Sequence, residues 1–175
     1  GASMPACSTC LRCDRIIGEL LDYTRTRGPV CMETPLDSWL AEVVEDFNLP
    51  AGVSVAKNLD SHATLWIDRN RIQGCVVNLL SNACQSMLER PGTGEPCELH
   101  IESRRRDHRV EILVTDTGPG VPAEVMEKIF EPMFSTRTFG VGLGLPIVKK
   151  NMEQHGGGVQ IVSEVGRGTV ATLWF

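Results

Sequence analysis

The stretch from residue 68 to 88, DRNRIQGCVVNLLSNACQSML, sets the frame for the whole chain. Ile72, Val76, Leu79, Leu80, Ala83 and Met87 recur there at helical spacing and form one apolar stripe, so the stretch predicts a helix with a single buried side. Short alternating runs of strand character flank it: VSVA and ATLWI before, CELHIES and HRVEILVTD after. A helix with one apolar side needs an apolar surface to lie on, and strands supply one. The expected fold is therefore an α/β (α+β) two-layer sandwich, with a mixed, mostly antiparallel sheet covered on one face by three helices.

Two asparagines, Asn78 and Asn82, interrupt this helix one turn apart. Their i, i+4 spacing stacks both side chains on one side of the cylinder, roughly 100–140° from the centre of the stripe. They flank the core. An amide left dry and unpaired beside a core costs on the order of 1–3 kcal/mol, so something polar should meet this pair.

The remaining segments fill in the sandwich. Leu11, Ile16, Ile17, Leu20 and Leu21 predict a helix over about residues 8–25, broken by RTRGP. Thr34-Pro35-Leu36-Asp37 opens a second helix carrying Leu40, Val43, Val44 and Phe47, which Pro50 and Gly52 end. A short helix follows Pro122, another runs from about Gly144 to Gln154, and GVQIVSE and GTVATLWF close the chain as strands.

At 175 residues the chain can bury one domain-sized core, and its net charge of −5 argues against an extended nucleic-acid surface. The one basic run, Arg104-Arg105-Arg106, reads as a solvated hairpin turn, and His100 and His108 fall in the strands beside it. No apolar run is long enough to span a bilayer, and Gly1-Ala2-Ser3 before Met4 reads as an expression scar. Of the seven cysteines, Cys7, Cys10 and Cys13 cluster in CSTCLRC without a nearby fourth metal ligand, so they read as small hydrophobes on a helix. Cys31, Cys75, Cys84 and Cys97 are scattered, which suits a reducing compartment.

Three further segments carry chemistry. EILVTDTGPGVP places Asp116 at the end of a strand, with Gly118 and Gly120 after it to let a flat ligand approach the backbone. An ionised carboxylate accepts hydrogen bonds, which suits the exocyclic amine of adenine and favours ATP over GTP. FGVGLGLPIVKK sets Gly140, Gly142 and Gly144 directly before a helix, where exposed backbone N–H groups make an anion site for phosphates. Its spacing is neither that of a Walker A loop nor that of a dinucleotide fingerprint. Mg²⁺ takes hard oxygen ligands while bridging phosphates, so an amide oxygen from the asparagine pair completes such a shell without adding negative charge.

In this order the motifs resemble the catalytic ATP-binding domains of bacterial two-component sensor histidine kinases, within the superfamily that includes gyrase B. The resemblance runs from about Asp68 to Phe175 and rests on NLLSNA, DTGPGVP, IFEPMFSTR, GVGLGL, HGGGVQIVSE and GRGT. It implies the Bergerat-type ATP-binding fold, with Asn82 on Mg²⁺ and Asn78 beside the metal and phosphates. It also implies Asp116 on the adenine amine, with Gly118 and Gly120 shaping that pocket. Gly140, Gly142, Leu143 and Gly144 hold phosphates, and Thr169 reaches adenine through water. Arg137 stands where the family often has lysine and is expected to clamp the γ-phosphate, while Phe130 and Phe134 pack the base of the lid. Thr138 and Val141 depart from the more usual proline and threonine there.

In the gyrase-type hydrolases the position of Asn78 is glutamate, a general base. Asn78 cannot take a proton at neutral pH, which suits a donor that passes phosphate to another protein. The four histidines, His62, His100, His108 and His155, lack an acidic-flanked helical context and read as structural or surface residues.

The resemblance therefore implies a kinase that transfers the γ-phosphoryl of ATP to a histidine outside this chain. Residues 1–27 are expected to hold the tag remnant and the end of a dimerisation and phosphoacceptor helix, and residues 28–175 the catalytic domain. The implied partners are ATP and ADP, the phosphoacceptor histidine of the dimerisation domain and a response regulator receiver domain, with no nucleic acid. The full-length protein would be a homodimer, cytoplasmic or anchored in the inner membrane, with this domain in the cytoplasm. An anti-sigma-type serine kinase of the same fold, and a nucleotide-binding or thiol-sensing interaction module without turnover, are the alternatives.

Overall fold

A computed structural model describes residues 27–89, 96–136 and 141–175; the helix expected before residue 27 and the CSTCLRC cluster lie outside them. In chain order the elements are β1 (Met32–Pro35), α1 (Leu36–Asp46), β2 (Val53–Leu59), β3 (Thr64–Ile67), α2 (Arg69–Leu88), β4 (Cys97–Arg106), β5 (Arg109–Asp116), α3 (Ala123–Met126), α4 (Gly144–Gln154), β6 (Gly158–Glu164) and β7 (Gly168–Trp174). Five strands form one sheet in the order β2-β4-β5-β7-β6, in which only the β2–β4 pair is parallel. Strands β1 and β3 pair separately and antiparallel.

Alternation explains which face is dry. Ile101 of β4 stands opposite Val114 of β5, which stands opposite Ala171 of β7, and Ile112 stands opposite Leu173; these and Leu99 on the same face of β4 are buried. Helices α1, α2 and α4 pack on that face, against β2, β4 with β5, and β6 respectively. The sandwich expected from the sequence is the one observed. All six residues of the α2 stripe are buried, joined by Cys75 and Cys84. Each large apolar side chain so buried contributes roughly 1.5–3 kcal/mol. Asp68 caps the start of α2 by accepting the Arg71 backbone N–H at 3.2 Å.

Helices α2 and α4 run antiparallel. The start of α2 meets the end of α4, where the Asp68 N–H donates to His155 Nε2, while further along Asn78 faces Gly144 at the start of α4.

Several local expectations are corrected. Strand β1 was not expected; its four residues end in Pro35 and are too few to show alternation. Arg104, Arg105 and Arg106 belong to β4, and the turn is made by Asp107 and His108, so His108 is not in a strand. Asp107 adopts a φ of 54°, the left-handed conformation that aspartate tolerates in tight turns. Strand β2 extends beyond VSVA to Leu59 because its pairing with β4 continues to Ser103. No helix among the described residues is long and apolar enough to cross a membrane.

Candidate functional site

The site begins at Asp116, the last residue of β5. Its register neighbours are Leu99 on β4 and Thr169 on β7, and it is only 6% exposed. A carboxylate so enclosed needs donors. The Gly118 N–H supplies one to Oδ1 at 2.8 Å, turning the chain sharply after the strand. A Cβ on Gly118 would stand 2.7 Å from that oxygen and 2.8 Å from Ser86 Oγ, so the close approach of loop to carboxylate admits no side chain. Cys84, a buried residue of α2, has its thiol pushed up by burial and, after that, by the Asp116 charge.

The loop after Asp116 is fastened to the closing hairpin. Gly166 donates its N–H to the Pro119 carbonyl at 2.8 Å, and Val121 donates to Ser163 Oγ at 2.8 Å. Ser163 Oγ lies 2.8 Å from Thr169 Oγ1 and 2.9 Å from the Gly168 carbonyl, so β6 and β7 hold the loop at both ends. Thr169 thus sits beside Asp116 with its hydroxyl already engaged. Sequence reasoning gave no role to Ser163, although it lies within HGGGVQIVSE, because its hydroxyl meets the Asp116 loop only once β6 and β7 are paired.

The second half of the site is the start of α4. Its N-cap, Leu143, is 2% exposed, and no side chain among the described residues caps the helix. The first-turn N–H groups therefore present the positive end of the helix. Gly144 opens this turn against Asn78, whose Oδ1 lies 3.2 Å from where a Cβ on Gly144 would stand. Asn82 stands one turn further along α2, about 6 Å beyond Asn78. The asparagines are half-buried beside the stripe, and this helix start is the polar feature that Asn78 meets.

Just before it, Gly142 has a φ of 73°, and a Cβ there would fall 2.4 Å from the Phe134 carbonyl oxygen. Met133 donates its N–H to the Gly142 carbonyl at 3.0 Å, so the glycine segment rests on the phenylalanine segment. Phe130 and Phe134 are themselves half-buried, and Lys149 Nζ lies 5.7 Å from the Phe130 ring centroid. Arg137, Thr138 and Gly140 lie outside the described residues.

The structure thus places Asp116, Gly118, Gly120 and Thr169 around the ends of β5 and β7, and Asn78 against Gly144 at the start of α4, with Asn82 one turn further along α2 and Gly142 resting on Phe134. Among the described residues no three His, Cys, Asp or Glu side chains come together to hold a metal, which leaves neutral amide oxygens as the protein donors beside the helix start. An open groove of about 230 Å³, lined by Phe130, Pro132, Pro146, Lys149, Lys150 and Glu153, includes none of these residues. His62, His100 and His108 are exposed, and His155 is structural: Nδ1 donates to the Asn151 carbonyl at 2.7 Å and Nε2 accepts from Asp68.

The chain is similar to known proteins in sequence and in fold. The family described as histidine kinase-, DNA gyrase B-, and HSP90-like ATPase matches residues 67–175. Sensor histidine kinase ZraS of Escherichia coli (strain K12) is 30% identical over 167 residues, covering 93% of this chain and 35% of that protein. The chain thus spans about a third of the length of that curated relative. Among solved structures, the catalytic domain of histidine kinase ThkA is 30% identical with a TM-score of 0.70, over 83% of this chain and 94% of that one. ThkA in complex with response regulator protein TrrA aligns with a TM-score of 0.75 at 28% identity, over 95% of this chain and 48% of that one. Full-length ShkA in complex with AMPPNP aligns with a TM-score of 0.79 at 25% identity, over 95% of this chain and 37% of that one.

Proposed function

The chain belongs to the histidine kinase-, DNA gyrase B- and HSP90-like ATPase family, as a sensor histidine kinase catalytic domain, and from that premise we propose that it binds Mg-ATP and donates the γ-phosphoryl to a histidine on a separate dimerisation domain. Residues 28–175 make up the catalytic unit. The observation that carries this reading is the meeting of Asn78 with the uncapped start of α4. Amide oxygens and helix N–H groups at one place suit a triphosphate and its hard cation better than any other common ligand.

The residues present fit both groups. Asp116 accepts the adenine amine, its Oδ1 already fixed by Gly118, and Gly118 and Gly120 leave room for the flat base beside it. The N–H groups at Gly142, Leu143 and Gly144 hold phosphate oxygens, as does the segment with Gly140, and Arg137 adds positive charge at the γ-phosphate. Thr169 reaches the base through water. Asn82 is the protein ligand to Mg²⁺, with Asn78 beside it; when bound, the cation neutralises charge on the phosphate oxygens.

The chemistry asked of the chain is positioning. The acceptor nitrogen forms a P–N bond to the γ-phosphorus as the bond from that phosphorus to the bridging oxygen breaks, and ADP leaves with the bridging oxygen and its electron pair. Asn78 supplies no base, so water is not activated and the phosphoryl group waits for the incoming histidine. A response regulator receiver domain then takes the group from that histidine. The full-length protein works as a homodimer, in the cytoplasm or anchored at the inner membrane with this domain on the cytoplasmic side.

Incubation of the full-length protein with γ-labelled ATP and Mg²⁺ tests this reading. Label that is acid-labile and base-stable, and that Asn82→Ala abolishes, is the expected result. Acid-stable label would indicate a hydroxyl acceptor and favour the serine kinase of the same fold, and no label would favour an interaction module.

A further inference from the structure

The ends of α2 and α4 remote from the nucleotide elements converge on one side chain. Arg71, 12% exposed, uses every nitrogen of its guanidinium. Nε faces Asp68 Oδ2 at 3.4 Å, Nη1 donates to Gln154 Oε1 at the end of α4, and Nη2 donates to the carbonyls of Arg27 at 2.6 Å and Gly28 at 3.1 Å. Asp68 completes the knot. Its Oδ2 accepts the Val30 N–H at 2.9 Å, and its own N–H donates to His155 Nε2 at 3.0 Å. One Arg–Asp pair therefore binds the entering segment Arg27–Val30 to the start of α2 and the end of α4 together.

Further along, those two helices bear Asn78 and Asn82 in the middle of α2 and Gly144 at the other end of α4. From Asp68 to Asn78 is about 15 Å of helix, and α4 spans a similar length. Between the ends the two helices pack directly on each other, with Cys75 and Val76 of α2 and Val148 and Met152 of α4 all buried in the same core. We propose that Arg71, held by Asp68, is a positioning residue that couples the entering segment to the nucleotide site through the α2–α4 pair. The proposal rests on the nucleotide reading above. A surface salt bridge would not carry this argument, because exposed pairs contribute little. Arg71 is enclosed, and its planar fork meets three separate segments at once.

Coupling is reciprocal, so a ligand at one end must change the other by the same factor. The test is amide hydrogen exchange at Val30, whose N–H reports the knot, together with nucleotide affinity, in the 175-residue chain. A non-hydrolysable ATP analogue with Mg²⁺ is expected to slow Val30 exchange about fivefold in the wild type. Arg71→Gln should remove that nucleotide dependence and weaken nucleotide binding about fivefold, and Arg71→Lys, which keeps the charge and loses the fork, should behave alike. If either variant fails to fold, Gln154→Ala, which removes only the α4 arm, should show a smaller loss in both readings. A purely structural Arg71 would speed Val30 exchange equally with and without nucleotide and leave affinity unchanged, which would overturn the proposal. Binding with no response at Val30 sinks the coupling alone, whereas no binding by the wild type sinks the nucleotide reading and the coupling with it.

Discussion

Asn78 Oδ1 lies 3.2 Å from the point where a Cβ on Gly144 would stand, and this contact joins the asparagine helix to the start of α4. A methyl group there must push the amide away. Gly144→Ala should change stability by less than about 1 kcal/mol, since Gly144 is the first residue of α4, where only part of the helix-interior preference for alanine applies against the crowding. Nucleotide affinity should fall about tenfold because Asn78 is displaced, roughly 1.4 kcal/mol. Thermal unfolding beside a binding titration separates the two effects; parallel losses in both would mean that the contact is only packing.

Ser163 predicts a second separation. Its hydroxyl oxygen accepts the Val121 N–H and ties the Asp116 loop to the β6–β7 hairpin. Ser163→Ala leaves that N–H without its acceptor, a cost of about 1–3 kcal/mol. Urea unfolding should show this loss, and exchange at Val121 should quicken more than exchange in β4.

Asp37, at the start of α1, predicts the acid limb of stability. Burial pushes its carboxyl up, but the hydroxyls of Ser103 and Ser61 and the backbone N–H groups of His62 and Ser61 outweigh burial and hold it below its ordinary value of 3.8. A depressed carboxylate stabilises the fold fully above its unfolded value, and that contribution is lost as pH falls through the folded value. Asp37→Asn should therefore destabilise at neutral pH and flatten the pH dependence of unfolding below about 4. An unchanged acid limb would mean that other carboxylates set it.

Thiol chemistry should follow burial. The Cys75 thiol is pushed up to about 12 by burial, against the opposing hydrogen bond with Asn151, and Cys84 is likewise buried with a raised value. Cys31 and Cys97 are half-buried. Brief alkylation of the native protein followed by mass spectrometry should label Cys31 and Cys97 well before Cys75 and Cys84.

Much of this was legible because the informative signals are local. The α2 stripe, the span of α4 and the β4–β5 hairpin are written as periodicity, and the glycines after Asp116 and at Gly142 mark where one stretch of backbone closely approaches another. What escaped the sequence was pairing over distance. Strand β1 is too short to carry a pattern, and it exists because β3 lies beside it. The parallel partnership of β2 with β4 leaves no local mark, and it is what lengthens β2. Ser163, Asp68 and Arg71 were likewise silent, since each acquires its role only when segments far apart in the chain meet. The three arginines of β4 misled because a charge run resembles a turn, whereas Arg104 is held in the strand by Glu102 and Glu111.

Whether Asn78, Asn82, Asp116 and the start of α4 form one Mg-nucleotide site, as proposed, is decided by calorimetric titration. ADP and a non-hydrolysable ATP analogue would be titrated with and without Mg²⁺ into the wild type, Asn82→Ala and Asp116→Asn. Binding should depend on Mg²⁺ and on Asn82, and should weaken for Asp116→Asn while the fold stays intact. Wild-type binding that ignores Mg²⁺ and both substitutions, or no binding at all, would contradict it.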